Sequence, residues 1–221
     1  MTLKREPRTV RGDATRKRLV EEGLRLFAMS GYSAVSTREI AQAANVNHAA
    51  IGFHFKGKQG LYDAVIEYMV EKLHSICDPF IDAIDKNIEA CAGDKKLLRQ
   101  LTFEAVGQFF IVSMRTERSR WLSVLLQREY VDPSDAFECI YKEVAEPVCK
   151  AIERLVNAAT GEDITTRRAQ VMVYCIMSQV TSMGRDQAIL IKRLGSEIYE
   201  PDMFNIMASV VAQGVCGILN I

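Results

Sequence analysis

Apolar residues recur at three- and four-residue intervals along nearly the whole chain, the period of a helix face turned to a core. From Asp13 to Ser30 the stripe is Leu19, Val20, Leu24, Leu26 and Phe27, and Gly31 ends it. Ser36 and Glu39 stand three apart, the spacing of a capping box, and Ile40, Ala41 and Ala44 follow as a short apolar stripe. Asn45 tolerates the left-handed conformation that stops a helix. Asn47 then suits the N-cap of a second helix, with Val46 and Ile51 placed for a hydrophobic staple. A helix from Lys58 carries Leu61, Val65, Met69 and Leu73, and Pro79 is expected to break or restart it. Helices are further expected over about 79–92, 95–116, around Trp121 to Leu126, from Asp132-Pro133 with a kink at Pro147 and a stop at Gly161, and over about 164–183, 186–194 and 202–219. No alternating run reads as a strand. The pattern predicts an all-α chain.

Two short helices joined by about three residues form a helix-turn-helix. The second would turn Ile51 and Phe55 inward and expose Asn47, His48, Ala49, Ala50, Phe53 and His54. Small residues let such a helix sit deep in a groove, and polar ones read base edges. Charge agrees with this. The chain is neutral, with 28 Lys/Arg and 28 Asp/Glu, but residues 1–60 hold 11 against 5 and the remainder therefore 17 against 23. A basic head on an acidic body suits a nucleic-acid footprint at one end.

The order R-x-x-LV-x-x-G-x-x-LF-x-x-x-GY, then STREIAQAANV, then an aromatic-His-Phe and a lysine, resembles the DNA-binding domain of the TetR family of transcriptional regulators over roughly residues 13–72. The resemblance implies that Thr37 holds a phosphate, that Arg38 can read a base, that the helix from Asn47 lies in the major groove, and that His54 and Lys58 hold the backbone. Three positions depart from the pattern. Gly52 stands where tyrosine is usual, Phe53 lacks a tyrosine's hydroxyl, and Gly23 stands where alanine is common. The segment from Leu126 to Gly161 is similar to the ligand-domain core of the CecR-like branch, with a glutamate, an Asp-Pro and an internal proline before a leucine-rich stretch. Three parts are expected: a flexible basic arm at 1–12, the helix-turn-helix domain at 13–60 (motif 36–55), and a ligand-binding and dimerisation domain at 61–221.

Phe109, Phe110, Met114, Trp121, Met172 and Met177 are of the types that line an apolar ligand cavity, although helical spacing suits plain core equally. Met203 to Ile221 carries no charge. Its polar and glycine interruptions favour a buried or partner-facing helix over a membrane span, and Phe204, Ala208, Val211, Ala212, Val215 and Leu219 make its expected dimer face. The N-terminus has no export signal, so a cytoplasmic protein with reduced core cysteines is expected. No catalytic constellation emerges. Glu71 and His74 form a single E-x-x-H, where a di-iron bundle needs two, so neither metal nor cofactor is expected. The reading is an all-α homodimeric DNA-binding regulator, a repressor released from an inverted-repeat operator by a small molecule. Its alternatives are a ligand-independent architectural DNA-binding protein and a helical-bundle enzyme or carrier.

Overall fold

A computed structural model describes residues 8–185, 187–195 and 200–221. Among them no strand occurs. Eleven α-helices and one π turn succeed one another: α1 Arg8–Ser30, α2 Thr37–Ala43, α3 Ala49–Phe55, α4 Lys58–Cys91, α5 Lys95–Met114, α6 Glu117–Val131, α7 Phe137–Ile140, the π turn Tyr141–Ala145, α8 Glu146–Thr160, α9 Arg167–Arg185, α10 Gln187–Leu194 and α11 Pro201–Leu219. The expected arm lies outside the described residues up to position 7. From Arg8 the backbone is already helical, five residues before Asp13.

Helices α1 to α3 and the start of α4 make the head. Leu19, Val20, Leu24 and Phe27 pack with Ile40, Ile51, Phe55, Leu61 and Val65 in one buried core. Gly23 lies at the α1–α4 crossing, where a Cβ would come within 2.9 Å of a Val65 methyl, so this core has filled the space that alanine would take. The body is a bundle of α4 to α11, in which α11 lies against α5.

Three expectations about helix boundaries are corrected. Pro79 neither breaks nor restarts a helix, for α4 runs through it over 34 residues. A mid-helix proline costs about 3 kcal/mol, but Ile76, Cys77, Phe80 and Ile84 are buried on both sides of it and hold the two halves to one core. The helix after Asp132-Pro133 starts only at Phe137, because Ser134 is drawn to Glu129 and its hydroxyl takes the Ala136 amide at 3.2 Å. Pro147 falls in the first turn of α8, and the irregularity lies ahead of it, where the Glu146 amide reaches the Tyr141 carbonyl across the π turn. Gly161 and Gly195 end their helices in the left-handed region, as expected.

The expected dimer face is also corrected. Phe204, Ala208, Val211, Ala212, Val215 and Leu219 are between 0% and 7% exposed within the single chain. They form one stripe of α11, and that stripe closes on the chain's own core. The opposite side of the helix leaves Ile206 and Val210 in solvent, and α9, which packs against α11, leaves Val171 and Tyr174 exposed as well. Among the described helices α11 alone is long and apolar enough to cross a membrane, and its packing on α5 accounts for that composition.

Candidate nucleic-acid interface

The motif is built by local hydrogen bonds. The Ser36 hydroxyl accepts from the Glu39 amide at 3.2 Å, and the Glu39 carboxylate accepts from the Ser36 amide at 2.7 Å, completing the capping box. That amide first, then the hydroxyl, holds the Glu39 carboxyl below its usual pKa. Asn45 takes a positive φ of 52° and turns the chain. The N-cap of α3 is His48, which makes no side-chain cap bond, and not Asn47 as expected; Asn47, one residue ahead, braces the helix start instead, its side-chain oxygen accepting from the Ala49 amide at 2.8 Å. Ile51 and Phe55 are buried, Val46 is half-buried against the same core, and Asn47, His48, Ala49 and Phe53 stand in solvent with His54 and Ala50 at the margin. Phe53 is 85% exposed, a large apolar ring presented to whatever the helix meets.

Thr37 and Arg38 open α2 beside this surface. Thr37 Oγ1 lies 2.9 Å from His48 Nε2, a bond that joins the start of α2 to the start of α3. When that nitrogen carries the proton, the hydroxyl accepts from it and keeps its own hydrogen for a phosphate. Arg38 is exposed. Lys58, expected on the DNA backbone, turns instead onto the Tyr32 ring at 4.4 Å and towards the Ser33 carbonyl at 3.5 Å. Nothing within 4 Å would meet a Cβ at Gly52, so the missing tyrosine leaves open space on the exposed helix.

Two head residues were not singled out from sequence. Arg16 of α1 stacks over Phe55 at 5.4 Å and puts a cation behind the recognition helix. At Gly60 a Cβ would sit 2.0 Å from the Phe55 carbonyl oxygen, so the turn from α3 into α4 requires glycine. The G-K-Q-G run that opens α4 was the available signal.

Between α4 and α5 the body carries a groove of about 600 Å³, with Phe80, Leu101 and Phe109 in its wall and Asn87, Gln100 and Glu104 among its polar lining; a shallower and more polar one of about 890 Å³ lies where α4 meets α8, around Glu89, Glu153 and Arg154. Of the six expected ligand-lining residues, Phe109 lies in the α4–α5 groove. Phe109 and Met177 also border a small apolar void of about 30 Å³ next to Val180. Phe110, Met114 and Met172 are packed into the core, and Trp121 is half-buried against it. For Phe110, Met114 and Met172 burial favours the plain-core reading that helical spacing had left open, and Trp121 sits at the edge of that core.

Cys139 and Cys175 are exposed, contrary to the expectation that the thiols are core, whereas Cys77, Cys91 and Cys216 are buried. Burial pushes the Cys77 thiol up to about 12. It also raises that of Cys149, which opposes the thiolate an oxidant sensor needs. His74 stands 3.4 Å from Asp78 and 4.0 Å from Glu143. Among the described residues no group of three or more potential ligands could hold a metal ion.

A capped helix-turn-helix presenting small, polar and aromatic side chains, on a basic head joined to an acidic helical body, defines a DNA-binding transcriptional regulator. The family model described as bacterial regulatory proteins, tetR family, matches residues 19–65. The C-terminal domain of the HTH-type transcriptional dual regulator CecR matches residues 98–219, more than half of the chain. The chain belongs to the TetR family, in the branch with a CecR-type C-terminal domain. It is 23% identical over 203 residues to the dual regulator CecR of Shigella flexneri, covering 92% of this chain and 90% of that one. It is 34% identical over 91 residues to the probable regulator YttP of Bacillus subtilis, covering 41% and 42% respectively. The fold is similar to that of a solved TerR/AcrR-family regulator from Aquifex aeolicus, with TM-score 0.52 and 20% identity over 91% of this chain and 97% of that one. Regulators of this family bind DNA operators and form dimers. The chain is a regulator and not an enzyme.

Proposed function

We propose that this regulator works as a cytoplasmic homodimeric repressor that leaves an inverted-repeat operator when a small apolar molecule enters its body. Each recognition helix takes one half-site, with centres about 34–36 Å apart per turn of duplex. Thr37 with His48, and His54, hold the backbone, while Arg38 and the face of Asn47, Ala49, Ala50 and Phe53 meet the bases. The dimer face is the exposed apolar side of α9 and α11, around Val171, Tyr174, Ile206 and Val210. Such a patch is rarely left to water.

The observation that carries the ligand-responsive part is the α4–α5 groove. Its volume of about 600 Å³ falls in the range of small-molecule sites, and one of its walls is the helix that leads directly out of the head. A ligand shifts the equilibrium only by its differential affinity for two arrangements, typically 1–3 kcal/mol. Because the Shigella relative carries the description of dual regulator, the same head could repress at one promoter and activate at another.

The test is selection of bound duplexes from random sequence, followed by a screen for compounds that release the selected operator. Leu101→Arg, which places a charge in the groove, should abolish release while leaving operator binding intact. A compound that still releases this variant acts elsewhere. An operator that no compound releases favours the ligand-independent architectural reading.

A further inference from the structure

Glu129 is, among the described residues, the one carboxylate buried within the chain, at 2% exposed. Its partners come from two different parts of the molecule. Tyr62, in the first turns of α4 as it leaves the head, donates its hydroxyl to Glu129 Oε1 in a short hydrogen bond. Ser134, in the α6–α7 loop of the body, donates its amide to Oε2 at 3.1 Å, and its hydroxyl lies 3.0 and 2.9 Å from the two carboxylate oxygens. On the head side Tyr62 is held edge-on by Phe27 at 5.1 Å and by Tyr32 at 4.9 Å. Burial first, then the bond to Glu129, raises the Tyr62 pKa far above its ordinary value, so it stays a donor. The neighbouring Arg128 reaches the other way. Its Nε donates to the Ala28 carbonyl at 2.7 Å and its Nη2 to the Met29 carbonyl at 2.9 Å, capping the end of α1. At the far end of α6, Arg118 pairs with Glu21 of α1 at 2.8 Å.

We propose that Glu129 and Arg128 are positioning residues for DNA binding, forming a polar clasp on α6 that fixes the angle of the head on the body and so the separation of the two heads. This rests on the dimeric reading above. Three considerations support it. A cleft of about 730 Å³ opens between head and body beside the clasp, so the junction is not closed by continuous packing. The apolar contacts of Leu122, Leu125 and Leu126 give adhesion, but apolar burial is non-directional, whereas Arg128 and Glu129 fix angle and register. A buried carboxylate with its partners is also a poor source of stability compared with apolar residues of the same volume, so adhesion alone does not account for it.

The clasp makes its own prediction because one head meets one half-site whatever its angle to the body. Two heads bound to one duplex gain affinity only if their spacing is held, since the second contact depends on effective concentration. Tyr62→Phe removes one hydroxyl at the α4 side of the clasp. With the operator selected by the wild-type protein, Tyr62→Phe should bind an isolated half-site duplex as the wild type does. It should bind the full operator about tenfold more weakly, within the usual range of coupling between sites. Its preference among operators with half-sites moved apart or together by one or two base pairs should broaden. Arg128→Ala should do the same, and Arg128→Lys, which keeps charge but not the fork onto two carbonyls, should not restore the preference. If Tyr62→Phe fails to fold, Ser134→Ala removes a hydroxyl at the rim of the same knot and is read by the same ratio. Half-site and full-operator affinities falling in proportion, or spacing preference unchanged, would overturn the clasp. A wild-type protein that selects no duplex, or only single half-sites, would instead overturn the operator reading on which it rests.

Discussion

Val210→Glu and Ala212→Glu, two residues apart on α11, should fail in opposite ways. Ala212 has no exposed surface and lies in the stripe that closes on the chain's own core. A glutamate there is a buried charge with no partner, which costs about 3–5 kcal/mol, against a net domain stability of about 5–15 kcal/mol. The expected outcome is a subunit that melts far below wild type or does not fold. Val210 is 58% exposed in the single chain, and a substitution on such a surface changes subunit stability by no more than about 0.5 kcal/mol. At a twofold interface, however, it brings in two like charges that lose their water, and the same penalty of about 3–5 kcal/mol then falls on association. Each 1.4 kcal/mol is tenfold, so the dimer should weaken by about two to four powers of ten. Sedimentation at micromolar concentration reads association, and circular dichroism during heating reads folding. Val210→Glu should sediment as a folded monomer with little operator affinity. The reasoning fails if that variant remains a dimer with full operator affinity, or if Ala212→Glu melts where the wild type does.

Arg38→Ala should cost about 1–3 kcal/mol of operator affinity and relax preference at one base position, read by competition among single-base variants of the operator. Unchanged affinity and preference would remove Arg38 from the base contacts. Gly52→Tyr has open space for its ring and relieves a helix-interior glycine worth about 1 kcal/mol; it should raise the melting temperature and strengthen binding to random duplex more than it sharpens sequence preference. Gly60→Ala should unfold the head, since its methyl would lie 2.0 Å from a backbone oxygen that cannot move without breaking the α3–α4 turn; a normal melting curve would refute that geometry. The Glu39 carboxyl is held below its ordinary carboxylate pKa by the Ser36 amide. Its contribution to the cap is therefore present above that value and is lost as pH falls through the lower folded pKa. Carbon-detected titration of the Glu39 carboxyl should show the lowered midpoint, and Ser36→Ala should move it upward.

The helix-turn-helix was legible because everything that makes it lies within a few residues. The box between Ser36 and Glu39, the left-handed Asn45 and the bond from the Ala49 amide to Asn47 act over two to four positions, so spacing alone comes within a residue of them. The ends at Gly31, Gly161 and Gly195 were legible for the same reason. The α11 face was not, because from Met203 on the helix carries no charge on any side and so has no sequence signal for inside. Which stripe is core depended on how α11 docks on α5 and its neighbours, which buries Ala212 and Val215 and leaves Ile206 and Val210 outside. The ligand groove was equally hidden, since residue type marks an apolar environment but not whether a neighbouring helix fills it. Phe109 borders space while Phe110, next in the chain, is packed solid. Lys58 could not be followed onto Tyr32, nor Arg16 onto Phe55, since each partner is reached through tertiary folding. The clasp is the clearest case: Tyr62 and Glu129 are 67 positions apart, and no local rule pairs them. Local hydrogen bonding and helical period are written in consecutive residues, whereas burial, cavities and long-range polar partners exist only once the helices have packed.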